Sequence, residues 1–367
     1  MLKSKAGKGK KVFANKFYVL AAVGFILLAL ISLPFINELV KLSQENATAV
    51  KVNGEIVTVK EFKHFMVQNS ASVYNYFKEK HGVDDNPGFW TSSYGGEVPV
   101  EIARQKTLEQ VVRIKLEQIL SRNKGLVKDI SYNTFLDNLR DENRKRKEAV
   151  QNNRVIYGPQ QYGVNEYFSY VHSNMLIKLK EKLGEEGHEL YVPADKLKEF
   201  YEANKDKSYR EMGAIKVQKI SVIYLQNDKR QEAAGKAEEI KVRLAKGEKM
   251  EQISTSYTDN SSFKYTLEEK VYDKNSARVE GETSPKIFDT VTKMSIGEVS
   301  GPVEENNSFS ILKCIQKGEG KYQPFEEIKD AVKSNYIDNV FEELVNKLVK
   351  EAKVEIVGGT YEKINAR

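Results

Sequence analysis

The sequence predicts an α+β protein: a mostly helical first half, then a strand–helix–strand segment, then one long amphipathic helix. Three observations predict it. Apolar residues between 59 and 205 recur at three- and four-residue steps, the period of a helix packed on one side. Residues 217–225 and 308–315 are short runs rich in β-branched and aromatic residues, the composition of strands. Residues 324–353 carry Phe325, Ile328, Val332, Tyr336, Val340, Leu344 and Leu348 on one helical stripe. At 367 residues, the chain is too long for one ordinary domain, and 40% hydrophobic with 30% charged residues suits a folded body.

The first segment predicts location. Residues 17–36 are uncharged and apolar, and twenty residues at about 1.5 Å each span about 30 Å, the hydrocarbon thickness of a bilayer. Residues 1–16 supply Lys3, Lys5, Lys8, Lys10, Lys11 and Lys16 and no acid, a cytoplasmic flank by the positive-inside rule. This predicts a single transmembrane anchor with the bulk of the chain extracytoplasmic, on a periplasmic or cell-wall side. Ala47-Thr48-Ala49 resembles a signal-peptidase site, but it lies well beyond the end of an apolar run that is long for a signal peptide. The six lysines also account for the whole net charge of +6. The remainder is balanced, which excludes a basic body for nucleic acid.

Along the rest, Asn53-Gly54 between short apolar runs predicts a hairpin, since both central residues of its turn need positive φ. Thr58 and Glu61 form a T-x-x-E capping box opening a helix with Phe62, Phe65, Met66 and Val73. Residues 82–99 read as a loop. A second helix carries Leu108, Val111, Val112, Leu116, Ile119 and Leu120 and stops at Gly125. The charged stretch 141–154 reads as a solvated helix face or linker, 164–183 as a helix, and Pro193 as the start of another with Leu197, Phe200 and Tyr201 inward. The strand 217–225 is followed by a helix at 231–246, an irregular middle, a turn at 297–303 and the strand 308–315. Residues 354–357 read as a closing strand.

Catalytic and metal motifs are sparse. The single cysteine, Cys314, excludes a disulfide framework within the chain and a cysteine-rich zinc site. His64, His81, His172 and His188 have no metal-ligand spacing, and no protease or nucleotide motif is present. No cofactor and no metal are expected.

Several segments in order resemble one family. VNGEIVTVKEF (52–62) looks like the opening of a SurA-type chaperone domain, as in SurA, PpiD and PrsA proteins, and LEQVVRIKLEQIL (108–120) fits its core helix. VPADKLKEFYEANKDK (192–207) resembles the helix before a parvulin domain. GEVSGPV (297–303) is similar to the parvulin turn GEISGPV, and SFSILKC (308–314) stands where its last strand would. The segment 324–356 resembles the helix that returns to the chaperone domain. The resemblance implies a SurA-like helical domain at 50–210, an inserted parvulin-like domain at 214–318, and a C-terminal helix at 324–357 packed on the first.

Parvulins are peptidyl-prolyl cis/trans isomerases, and the resemblance also implies where their residues would fall. Val222 stands at the histidine of the first strand and Ser310 at the histidine of the last, and no histidine follows His188. The glycine-rich segment of the family is replaced by 264–272. Asp259 or Asn260 falls where the family has an acid or cysteine, and either also suits a plain turn in TDNSS. Ile287 or Phe288 would floor a proline pocket and Met294 wall it, and core packing explains the same residues. The expectation is a membrane-anchored extracytoplasmic chaperone. It would bind unfolded or extended polypeptides through the SurA-like domain and a parvulin-like domain without the usual histidines. An active isomerase and an anchored scaffold for one folded partner are the alternatives.

Overall fold

The computed structural model describes residues 40–365 apart from Asp85. The apolar run 17–36 and its lysine flank lie outside the described residues, among which no helix is long and apolar enough to cross a membrane. In chain order come β1 (Thr48–Val52), β2 (Glu55–Thr58), α1 (Val59–His81), α2 (Pro99–Asn123), α3 (Tyr132–Gln151) and α4 (Val164–Leu183). Then follow α5 (Ala194–Ser208), β3 (Ile215–Tyr224), α6 (Arg230–Ala245), α7 (Met250–Thr255), β4 (Phe263–Tyr272), α8 (Ala277–Thr283), α9 (Pro285–Lys293), β5 (Val303–Glu305) and β6 (Ser308–Lys317). The last elements are α10 (Phe325–Glu351), β7 (Val354–Ile356) and α11 (Gly358–Tyr361). These divide into two compact units: the residues up to Tyr191 with those from Ile337 onward, and Val192–Tyr336.

In the first unit, β1 and β2 form the hairpin that Asn-Gly predicts, with Asn53 at φ 49° and Gly54 at φ 86°. The other edge of β1 pairs antiparallel with β7, so the sheet order is β2-β1-β7 and the two ends of the described chain meet in one sheet. Ala49 is fully buried in β1 and its carbonyl accepts from the Val357 N–H, so a processing cut after Ala49 would open the core of this sheet.

Thr58 caps α1 by accepting from the Glu61 N–H at 3.1 Å. Glu61 does not complete the capping box. Its carboxylate turns inward and accepts from Lys115 Nζ at 2.8 Å, with both side chains almost fully buried. Lys115 also donates to the Ile130 carbonyl at 3.3 Å. Burial pushes the Glu61 carboxyl above its ordinary range, and the neighbouring ammonium pulls it back. The expected one-sided α2 is instead buried nearly all round over 111–117, where Ile114, Lys115, Leu116 and Glu117 are consecutive buried residues. Glu117 is reached by Arg113 at 3.0 Å and by His172 at 2.9 Å.

The buried stripe of α10 within this unit is Ile337, Phe341 and Val345, whereas Val340 and Leu344 are half-buried. Apolar residues come in adjacent pairs here, so periodicity leaves two neighbouring stripes open and packing selects one. Ile337 lies so close to Gly184, at the end of α4, that a Cβ there would meet Ile337 Cδ1 at 2.6 Å. Asp338 accepts from Lys180 at 2.8 Å and Glu342 from Arg113 at 2.7 Å. Leu348, Val349, Ala352 and the buried Ile364 join the core formed by β1, α1 and α2.

The second unit holds a four-stranded antiparallel sheet of order β4-β3-β6-β5. Side chains alternate across it. Ile220, Val222, Phe309 and Ile311 pack with Ala233, Ala237 and Ile240 of α6 and with Met250 and Ile253 of α7. Val217, Leu312 and Cys314 pack instead with Ile287 and Val291 of α9 and with Met294. The middle segment expected to be irregular contains the ten-residue strand β4. Its charged residues Lys264, Glu268, Glu269 and Lys270 disguise it, and they are tolerated because β4 is an edge strand buried only at Phe263 and Tyr272.

The segments entering and leaving the sheet are tied together: Glu211 N donates to Lys321 O, Gly318 N to Ala214 O and Gln323 N to Tyr209 O, at 2.8–2.9 Å. The approach demands glycine, since a Cβ on Gly320 would meet the Glu211 carbonyl at 1.7 Å. The first half of α10 places Val332 in a small core with Val192, Leu197, Tyr201 and Tyr209. Ile328, at φ −118° and ψ 15°, kinks the helix there.

Candidate functional site

The sheet face toward α9 gathers most of the expected site residues. Ser310 is two residues before Leu312 on β6 and shares its face. Ile287 and Met294 are buried beside Leu312 and Cys314, and Phe288 is half-buried at their margin, its ring 6.3 Å from that of Tyr272. Two helix signals fix α9 over this face: Pro285 stands in its first turn, and the Glu305 carboxylate accepts from the Lys286 and Ile287 N–H groups at 3.0 and 3.3 Å.

Val222 does not join them. It is paired with Phe309 and fully buried against α6, on the opposite face. The residue directly across from Ser310 is Ser221, and the two hydroxyls are hydrogen-bonded at 2.8 Å in a buried setting. A one-residue slip in a strand exchanges its faces, and the run Ser221-Val222-Ile223 has no alternation strong enough to resolve that from sequence. Ser221, which the sequence reading passed over, is therefore the residue that shares this row with Ser310. Thr266 pairs with Ser221 from β4 and Val303 with Ser310 from β5, so one row of small side chains crosses all four strands.

Asp259 and Asn260 lie in the exposed turn before β4. Asp259 Oδ1 accepts from the Tyr265 N–H at 2.8 Å, and Asn260 Oδ1 accepts from the Ser262 and Phe263 N–H groups at 2.8 and 2.9 Å. Both side chains satisfy backbone donors at the start of the strand, as turn residues do. Behind them Tyr257 stacks on Tyr265 with ring centroids 4.8 Å apart.

The 297–303 segment has a structural task. Gly297, at φ 83°, turns the chain so that it runs beside β6, with Cys314 N donating to Glu298 O and Ser300 N to Leu312 O. Ser300 Oγ accepts from the Leu312 N–H at 3.0 Å, satisfying a buried donor.

Among the described residues no group of three or more His, Cys, Asp or Glu could hold a metal ion. The Ser221–Ser310 pair has no titrating group, so this buried row offers no imidazole for proton or hydrogen-bond exchange. Removing one hydroxyl with Ser310→Ala is expected to cost about 1–3 kcal/mol, because the other is left buried without its partner. The Ser221→Ala/Ser310→Ala double variant should recover most of that loss in urea denaturation followed by circular dichroism. A double variant worse than the sum of the singles would contradict this account.

A four-stranded antiparallel sheet with helices on both faces, closed by this glycine turn and last strand, defines a parvulin-type domain. Residues 192–330 match the PPIC-type PPIASE domain family. The chain is 29% identical over 123 residues to the foldase protein PrsA of Clostridium tetani, covering 32% of this chain and 35% of that one. It is 32% identical over 133 residues to PrsA of a Geobacillus species, covering 33% and 43%. The chain thus spans well under half the length of these curated relatives. A SurA-like chaperone of Campylobacter jejuni aligns over 85% of this chain and 100% of its own, at 17% identity and a TM-score of 0.29. Residues 192–330 thus form a PPIC-type parvulin domain, and the chain is similar to PrsA foldases over about a third of its length.

Proposed function

We propose that this protein is an extracytoplasmic chaperone of the PrsA/SurA/PpiD kind that holds unfolded or newly translocated polypeptide. In this reading the first unit is a SurA-like domain completed by the C-terminal helix. The parvulin domain is inserted into it and serves for binding more than for isomerisation. The buried Ser221–Ser310 pair carries the proposal, because it occupies the sheet row on which the family resemblance places a histidine. Isomerisation crosses a barrier of about 18–20 kcal/mol by twisting one bond, which a binding face lowers only by stabilising the twisted state. Two hydroxyls satisfied by each other have little left to offer it. The apolar run at 17–36 and its lysines support a single membrane anchor with the N-terminus cytoplasmic. The relatives carry foldase names, and a periplasmic chaperone PpiD of Haemophilus ducreyi is 29% identical over 99 residues, covering 25% of this chain and 16% of that one.

The test is a proline-isomerisation assay run beside aggregation suppression on the same purified full chain. Isomerisation near the uncatalysed rate with clear suppression of aggregation is expected, and Asp259→Ala should leave both unchanged. The family match favours one rival, an active isomerase. Robust catalysis lost on Asp259→Ala would establish that rival and overturn the binding role.

A further inference from the structure

In the first unit β7 is an edge strand, and its bonds to β1 fix which way its main chain points. Asn53 N donates to Lys353 O at 2.9 Å and Val357 N to Ala49 O at 3.0 Å, with Lys51 opposite Glu355 between them. Residues of an antiparallel strand alternate in the direction of their N–H and C=O groups. Lys353, Glu355 and Val357 therefore turn theirs toward β1, and Val354 and Ile356 turn theirs outward. Among the described residues, these outward groups of Val354 and Ile356 have no backbone hydrogen-bond partner.

The side chains at this edge are apolar. Val354 pairs with Val52 and Ile356 with Val50, so both lie on the core side of the sheet, where Val50 and Val52 are fully buried. Yet Val354 is 37% and Ile356 49% exposed, as edge residues with no strand beyond them. Sheets commonly blunt an edge with charge, as Lys264, Glu268, Glu269 and Lys270 do on β4. On β7 the core side of the edge stays apolar. The main chain then sets what fits. Two donors and two acceptors recur over a two-residue repeat of about 7 Å, which extended polypeptide matches and a helix, with its groups already bonded internally, does not. A second copy of β7 is a poor partner. The antiparallel register that uses both residues of each copy sets Glu355 directly opposite Glu355, and like charges placed there repel.

We propose that the outer edge of β7 is a strand-addition site, where an extended segment of unfolded polypeptide pairs antiparallel with Val354–Ile356 and sets apolar side chains at alternate positions beside Val354 and Ile356. Antiparallel pairing is the more stable direction per residue. The assignment rests on the chaperone reading and specifies how that unit takes hold of a client's main chain.

Antiparallel pairing makes a strict demand: the client residues that share the face of Val354 and Ile356 are the ones whose N–H groups point at β7. The probe is a labelled, soluble peptide of alternating valine and serine, titrated into the full chain by fluorescence anisotropy. N-methylation of its central valines should weaken binding about tenfold, the size of one or two main-chain hydrogen bonds, whereas N-methylation of its central serines should leave binding unchanged. Ile356→Pro removes an outward N–H but no bond to β1, at a place where strands tolerate proline. It should weaken the unmodified peptide to a similar extent and leave the urea transition of the first unit in place. Should proline disturb the fold, Val354→Ser/Ile356→Ser tests the apolar half of the site at two exposed positions, again with weaker binding expected. Equal binding of the two methylated peptides, loss confined to the serine-methylated one, or binding untouched by the folded variants would each overturn the assignment. If aggregation suppression persists in such a case, the chaperone reading stands and only the strand site falls. If suppression is also absent, both fall.

Discussion

A chain ended after Tyr336 is expected to lose the cooperative unfolding of its first unit, while Val192–Tyr336 stays folded. The removed segment takes with it the buried side chains of Ile337, Phe341, Val345 and Ile364. At about 1.5–3 kcal/mol for each, the loss is about 6–12 kcal/mol, comparable with the whole stability of a domain. The cut also strips β7 from β1, leaving an unpaired sheet edge beside the fully buried Val50 and Val52. The single tryptophan, Trp90, reports the outcome directly, because it packs against the core of this unit. Its emission should shift to that of an exposed indole, while hydrogen exchange in β3 and β6 stays slow. An unchanged Trp90 transition in urea would show that the helical half is self-sufficient.

The second large effect is expected from Lys115→Met. Glu61 would keep its buried place without its counter-charge, a change that typically costs 3–5 kcal/mol. The Glu61→Gln/Lys115→Met double variant should regain most of it, since no charge is then stranded. The pH dependence has a definite sign. Burial raises the Glu61 pKa, so the folded chain holds that proton more tightly than the unfolded chain. The group then favours folding below the unfolded value of about 4.3, and that contribution is lost as pH rises toward the folded value. The deficit of Lys115→Met, followed by Trp90 fluorescence in urea, should therefore shrink at pH 4 and be full at pH 7. A deficit independent of pH would assign the loss to packing of the lysine stem.

Much of the architecture was legible because it rests on local rules. Asn53-Gly54 and Gly297 act through φ and ψ alone, and Thr58 acts through a bond three residues away. What escaped was set by partners distant in sequence. Glu61 reads as half of a capping box until Lys115 claims its carboxylate from 54 residues away. The strand β4 reads as part of an irregular middle until β3 pairs with it along its full length. Asp259 and Asn260 read as site candidates or turn residues, and each accepts from backbone N–H groups at or just before the start of β4.

The amino-acid sequence alone was enough for the main helices, the strands β3 and β6, the hairpin, the glycine turn and the absence of any histidine after His188. These follow from side-chain period, backbone preference and composition, which each residue carries with it. Only the tertiary structure decided which face each strand residue occupies and which helix stripe is buried. It placed Ser221 opposite Ser310 and sent Val222 into the other core. It chose Ile337, Phe341 and Val345 over their neighbours on α10. The physical reason is the same in both cases: a shift of one residue leaves local preference nearly unchanged but exchanges what is desolvated, and that is settled only when the opposing surface arrives.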